Sequence, residues 1–307
     1  VSVPTRSWIL DLIDSAAFEQ LSRKLSGSEL QSLLLEVLRV RAGARTPAEV
    51  LAQYRRDSFC RPAVVDQRTS LTVDVELFAA AEGFEAVELS PVTPLGTCST
   101  VAVTDQNRVL SALRATEIVA DPTNVLALEC ALRLRDDRDT PVHLATSQRV
   151  IRAQAVPPVP GFAQHFRIFV LASGGSESKD HGFTVGALTG QARTMLAALD
   201  RLERQGYELG KRRIEVLATS ERTALGDRIA ESLGIVASRK LLEHPYYSGG
   251  LRYTLWVTAP DGEELPLADG GAFDWLAKLA GNRRAAYVAS GIGAQLITLR
   301  FRSRPDP

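Results

Sequence analysis

The chain has 307 residues, 45% of them apolar and 23% charged, and its 36 Lys and Arg balance 36 Asp and Glu to a formal net charge of zero. That is the composition of an ordinary globular protein with one large or two modest domains, and the charge balance counts against a protein whose main business is gripping a nucleic-acid backbone. No apolar run approaches the ~20 residues that cross a bilayer, and the start, Val-Ser-Val-Pro-Thr-Arg-Ser-Trp, has no basic flank ahead of an apolar core. The expectation is a cytoplasmic protein with no membrane contact. Cys60, Cys98 and Cys130 are odd in number and far apart, which suits reduced thiols better than a disulfide frame or a zinc site. His143, His165, His181 and His244 form no ligand spacing with them, so no metal site is expected.

Taken in chain order, residues 5–57 read as wholly helical. Ser26 and Glu29 form a capping box ahead of Leu30, Leu33, Leu34, Val37 and Leu38, and Thr46-Pro47-Ala48-Glu49 joins a cap, a proline at the first helical position and a second box. The apolar face of this prefix is expected to pack on the main domain, with a partner as the alternative. A helix over 70–81 leads into a strand over 83–91 that stops at Pro91, where the ladder loses a donor. A short Thr/Ser/Val strand over 99–103 and a helix from Asp105 follow. Asp121-Pro122 opens a helix over 123–135 with Leu126, Leu128 and Leu132 as its buried side and Arg133 and Arg135 near its C-terminal end, where cations suit the dipole.

The stretch 149–175 alternates apolar residues on both sides of a Pro/Gly loop and reads as an antiparallel hairpin. Arg152 and Gln154 are two apart and share a face, while Gln164 and His165 open the second strand. A polar pair beside a stiff loop is a candidate ligand floor. Equally, it is a solvated hairpin with an exposed arginine. Residues 174–181 are Gly/Ser-rich and charged, the best internal boundary. Beyond them the pattern gives a helix over 186–204, a strand over 213–218, a helix over 221–233 and a strand near Val236. It continues with strands over 251–258 and 265–268, a Gly270-Gly271 turn, a helix over 273–279, and a final strand from Ala286.

Three features in order resemble the signature motifs of class II aminoacyl-tRNA synthetases: the helix and strand ending at Pro91, the Arg152 hairpin, and the terminal Gly-rich run Ser290-Gly291-Ile292-Gly293-Ala294-Gln295-Leu296-Ile297. Tyr246-Tyr247-Ser248-Gly249 resembles the histidyl branch's Tyr-Tyr-Thr-Gly. The run from Ala268 through Gly270 and Gly271 to Leu276 resembles its Gly-Gly-Arg-Tyr-Asp-x-Leu, and the segment after Pro122 its Arg-Pro-Glu. Each motif is short, but five in the right order over residues 70–300 are more specific than any one.

The resemblance implies an α+β fold in which an antiparallel sheet of about six strands is flanked by helices, preceded by a helical N-terminal segment. It divides the chain into residues 1–65 and a synthetase-like core over 66–307. It implies a homodimer through residues near 70–95, self-complementary as two-fold contacts must be. It also assigns substrate binding to Arg152, Gln154, Gln164, Tyr246, Tyr247, Gly270, Gly271, Gly291 and Gly293. An arginine fork at Arg152 suits a carboxylate or α-phosphate. Gln154 stands where the family has a glutamate, so the shape is kept and the charge lost. In the bland account the tyrosines are core residues and the glycines a turn.

The departures carry as much weight. The motif-3 arginine is replaced by Leu296, the arginine four residues before the tyrosine pair by Leu242, and that of Gly-Gly-Arg by Ala272. Losing one transition-state donor typically costs on the order of 10² to 10³ in rate, unless Arg252 or Arg300 substitutes in space. The chain also stops soon after the last motif, where the family continues into an anticodon-binding domain, so tRNA is not the expected substrate. The reading is therefore a degenerate histidyl-tRNA synthetase paralogue, similar to the regulatory subunit of ATP phosphoribosyltransferase. It would be a binding or regulatory subunit for an amino-acid-like or nucleotide ligand, with a protein partner and ATP the one cofactor to consider; no catalytic residue is assigned. The alternatives are an ATP-dependent amino-acid-activating ligase for a non-tRNA acceptor, and a structural dimer with no cavity by the hairpin.

Overall fold

The computed structural model describes residues 12–155, 163–236, 238 and 240–302. The loop expected at the tip of the hairpin, the first residues of the helical prefix and the polar tail after Arg302 fall outside the described residues. The prefix comprises helices α1 (Ser15–Glu19), α2 (Gly27–Gly43) and α3 (Pro47–Arg56), with a π-helical turn over Gln20–Lys24 between the first two. Both expected capping boxes are formed: Ser26 and Thr46 each accept from a backbone N–H three residues on and receive the glutamate in return. The expected packing is not found, because α2 and α3 contain no buried residue and Leu33, Leu38, Val50 and Leu51 are exposed. The prefix reaches the core instead through the segment that follows, where Ser58 Oγ donates to Gln164 Oε1 and the Arg61 carbonyl accepts from His165 Nε2 at 2.7 Å.

Helix α4 (Gln67–Ala80), capped by Asp66, leads to a strand much shorter than expected. Only β1 (Glu85–Ala86) pairs, in parallel, with β5 (Val142–Ile151), and the chain from Val87 to Pro91 then runs extended to β2 (Val92–Pro94). With β3 (Ser111–Ala112) and β4 (Thr116–Ile118), β2 forms a small three-stranded sheet. The strand expected over 99–103 is a π-helical turn, Thr97–Val101, and the helix from Asp105 is a single turn, Gln106–Arg108. Glu117 is the reason. Its fully buried carboxylate accepts from the Gly96 and Cys98 amides at 2.8 and 2.9 Å and from Gln106 at 2.8 Å, winding the segment around itself. Burial raises the Glu117 pKa, but these donors outweigh it and bring the carboxyl below its ordinary value.

The main sheet has seven strands in the order β1-β5-β6-β10-β9-β8-β7, antiparallel except at β1. The new members are β6 (His165–Ser176), β7 (Arg212–Ala218), β8 (Leu251–Thr258), β9 (Glu264–Phe273) and β10 (Ala285–Ile292). Alternation along β6 builds both layers of core. Phe169 and Leu171 face α4 and α6 (Gly182–Arg204), while Val170 and Ala172 face α5 (Pro122–Asp136) and α8 (Trp275–Ala280). Helix α7 (Thr223–Leu233) packs on the face of β7 beside α6, and α9 (Ala294–Arg300) follows β10 at once, so the run after Gly293 is helix rather than strand. Helix α5 starts as expected, with Asp121 accepting from the Thr123 amide and Pro122 in the first turn. Its buried side holds Leu126, but Leu132 is exposed.

Two further expectations are corrected. Residues 174–181 are not a boundary, since Gly174 and Gly175 lie inside β6 against Leu276 and Phe183 and α6 packs on the same sheet. Val236 is in no strand and is exposed. Gly270-Gly271 is not a turn but the interior of β9. A Cβ at Gly270 would stand 2.0 Å from Ser290 Oγ, and one at Gly271 would stand 2.4 Å from the Tyr247 ring and 2.5 Å from the Leu251 carbonyl. The glycines are there because neighbouring strands bring large groups onto both faces of β9.

Candidate functional site

On the α5 side of the sheet a cleft of about 300 Å³ opens beside the hairpin. Its floor is made by Ile168, Ala289 and Gly291, with the Gly270 backbone at the edge. One wall comes from the segment after the Thr97–Val101 turn, with Thr104, Arg108 and Val109, and Cys98 beneath them. That segment is tied to the hairpin where the Ala153 amide donates to the Arg108 carbonyl at 2.8 Å, and from there a row of polar and ring contacts links Arg152 to Arg252. Arg152 lies just past the end of β5, its Nε donating to the Ala120 carbonyl at 3.0 Å and its Nη2 3.7 Å from Asp121 Oδ2. Tyr246 OH donates to that same oxygen at 2.8 Å, and Asp121 Oδ1 is taken by the Thr123 amide and hydroxyl at 3.0 and 2.7 Å. The Tyr246 and Tyr247 rings meet edge to face at 5.3 Å, and Tyr247 OH donates to Asp269 Oδ2. Arg252 Nη2 reaches that oxygen at 3.1 Å, with its guanidinium over the Tyr247 ring at 4.9 Å.

Burial and the carboxylates beside them push both phenols well above their ordinary pKa, Tyr246 by desolvation and then Asp121, Tyr247 by desolvation and then Asp269. They are therefore fixed donors. Cys98 is likewise a thiol, not a thiolate, because burial pushes it up to about 12.

Of the nine residues singled out from sequence, Arg152, Gln154, Tyr246, Tyr247, Gly270 and Gly291 line this cleft. Gln164 does not: its side chain accepts from Ser58 and its carbonyl accepts from the Arg152 amide, so it ties the hairpin to the N-terminal segment. Gly271 makes room for the Tyr247 ring, and Gly293 donates to the Leu267 carbonyl as α9 begins. His165 points away from the cleft, between Arg149 Nη1 at 3.0 Å and the Arg61 carbonyl. Sequence reasoning missed Asp121, Asp269 and Arg108 as cleft residues. Asp269 was within reach, because on a strand it shares a face with Gly271, and that face is the one the tyrosine pair covers.

The solved structures give the fold its counterpart. A structure named as an ATP phosphoribosyltransferase regulatory subunit/histidyl-tRNA synthetase from Bacillus halodurans matches with a TM-score of 0.59 at 15% identity, over 78% of this chain and 81% of that one. A histidine–tRNA ligase subunit from Alicyclobacillus acidocaldarius matches at 0.57 and 15%, over 78% and 96%. The fold is that of the histidyl-tRNA synthetase-like class II core. An apo histidyl-tRNA synthetase from S. aureus matches it at 0.52 and 12% identity, over 75% of this chain and 64% of that one. No family profile and no curated protein matches the sequence.

Within this class II core, the three positions where the resemblance expects arginines are filled by apolar side chains packed into the core. Leu242 is buried with Tyr247 and Phe273, Leu296 packs against the cluster of α4, α6 and α9, and Ala272 is buried on the α6 face with Val185 and Leu188. Neither candidate replacement is free. Arg300 is held by Asp261 and Glu263, both at 2.7 Å, and Arg252 by Asp269. Arg108 alone among the arginines at the cleft has no carboxylate partner among the described residues. One free guanidinium and one loosely paired one do not make the donor set of a triphosphate.

Proposed function

We propose that this protein is a synthetase-like binding or regulatory subunit that holds a small amino-acid-like ligand in the cleft and does not adenylate it. The observation that carries this reading is the conversion of two expected phosphate-handling positions, Leu242 and Leu296, and of a third expected arginine, Ala272, into core, beside a cleft that keeps Arg152, the tyrosine pair and an open floor. A volume of about 300 Å³ is at the small end of ligand sites, which run from ~300 to 1,000 Å³. It suits one amino-acid-sized molecule rather than an amino acid and a nucleotide together. The cleft also counts against a purely structural dimer with a closed site.

The name of the Bacillus halodurans structure supports a protein partner, and the same reading treats residues 1–65 as a helical segment apart from a core over 66–307. Self-association through residues near 70–95 is part of the proposal, supported by exposed Leu71 and Val75 on α4, Val92 on β2 and Leu95 just after it. Isothermal titration with the amino acids and with ATP tests the function. Saturable binding of an amino acid without ATP–pyrophosphate exchange is the expected result. Exchange with any amino acid, or no binding of any, overturns it. Sedimentation of Val75→Glu against the unaltered chain tests the dimer, and an unchanged mass refutes that interface.

A further inference from the structure

We propose that the cleft selects an amino acid whose side chain ends in a cation, with Asp269 as the residue that reads it; the inference rests on the amino-acid reading of the site. Asp121 and Asp269 are the two carboxylates lining the cleft, and they differ in what they have left to offer. Both oxygens of Asp121 are engaged, one by the Thr123 amide and hydroxyl, the other by Tyr246 and Arg152. Both contacts of Asp269, from Tyr247 and Arg252, fall on Oδ2, and Oδ1 carries no hydrogen bond among the described residues. A cleft-lining carboxylate whose second oxygen has no partner is a receptor for an ammonium or guanidinium, and such charge-assisted contacts are about twice as strong as neutral ones.

The anionic pole lies elsewhere. Arg152 sits over the Phe166 ring at the hairpin end of the cleft, and Arg108, whose carbonyl accepts from the Ala153 amide beside it, has no carboxylate partner among the described residues. In the sheet, Asp269 pairs with Gly291, which pairs with Val170, so β9 stands two strand spacings from β6, about 10 Å. Phe166 lies four residues before Val170, a further ~13 Å along the strand. The Cα atoms of Phe166 and Asp269 are thus about 16 Å apart, several times the separation of the α-amino and α-carboxylate groups of one amino acid, which share a carbon. The group against Asp269 is therefore at the far end of a side chain. The intervening floor of Ile168, Ala289 and Gly291 is apolar, as a methylene stem requires.

The test compares L-lysine, L-ornithine and L-arginine with their uncharged counterparts norleucine and citrulline by isothermal titration. Lysine is expected to bind at least about tenfold tighter than norleucine, the lower end of what a charged hydrogen bond contributes at a partly open site. Asp269→Asn is expected to collapse that ratio to near one. Norleucine binding as tightly as lysine to the unaltered protein overturns the inference and leaves the amino-acid reading standing. A ratio that survives in Asp269→Asn overturns the assignment to this residue, and no binding by any of the five overturns the inference, the amino-acid reading falling only if the full set of amino acids also fails to bind. The panel on the unaltered chain decides the question even where the variant does not fold.

Discussion

Gly271→Ala tests whether β9 is shaped by its neighbours. The added methyl would stand 2.4 Å from Tyr247 Cδ1 and 2.5 Å from the Leu251 carbonyl. The ring can swing, but the carbonyl belongs to a strand held on both sides, by β7 and by β9 itself. Overpacking of this kind costs ~1–3 kcal/mol. Moving the ring also breaks the bond from Tyr247 to Asp269, about 1 kcal/mol for a hydrogen bond whose acceptor is partly solvated. The sum is about 3 kcal/mol, which at roughly 2–4 °C per kcal/mol for a fold of 150–250 residues lowers Tm by roughly 6–12 °C. Scanning calorimetry measures it, with Gly186→Ala as the control. Gly186 is exposed on α6 with nothing near a new Cβ, so that change should raise stability by ~0.5–1 kcal/mol. A Gly271→Ala melt within about 2 °C of the unaltered protein would refute the account of β9.

Two more outcomes follow from buried groups. Cys98 and Cys130 are buried thiols pushed up to about 12 by desolvation, whereas Cys60 is exposed, so iodoacetamide at neutral pH should label Cys60 alone in the native protein; modification of a second thiol before unfolding contradicts this. His143 accepts from Ser173 Oγ at 2.9 Å, that hydroxyl being fixed in turn by Gln191, and burial holds the imidazole pKa below its ordinary 6.5. A depressed histidine contributes stability above the unfolded pKa and loses it as pH falls through the folded one. Tm should therefore fall from pH 7 toward 5, and less steeply in His143→Phe; equal slopes would contradict the assignment.

What the sequence revealed was local. The caps at Ser26, Thr46 and Asp121 are read from neighbours within three residues, and the structure forms all three. The Val/Ile/Leu alternation of β7 and β8 needs only its own period, and both strands lie within a residue of expectation. Errors arose where a distant group decides. The β-branched run at Thr97–Val101 has every local mark of a strand, but Glu117, on β4, supplies the acceptors that coil it. Gly270-Gly271 looks like a turn until Tyr253 and Ser290 occupy one face and Tyr247 the other. For the cleft, the arginine and tyrosines were legible as motif residues. The state of their partners was not: that Asp121 is saturated depends on Tyr246, more than a hundred positions away, and that Asp269 is half open depends on how Tyr247 and Arg252 share one of its oxygens. Leu132 is exposed because, six residues beyond Leu126, it lies about 120° round the helix from the buried stripe of Leu126, Ala127 and Cys130.

The position of β10 has a consequence for how the molecule comes together. It is the last strand of the main sheet to leave the ribosome, and it lies between β6 and β9, with three strands on one side and three on the other. Until it arrives, the nascent chain holds two half-sheets with facing raw edges, each a template for mispairing. Shielding that gap during synthesis falls to whatever binds exposed backbone first, and a stop codon introduced before Ala285 would leave the gap permanently open.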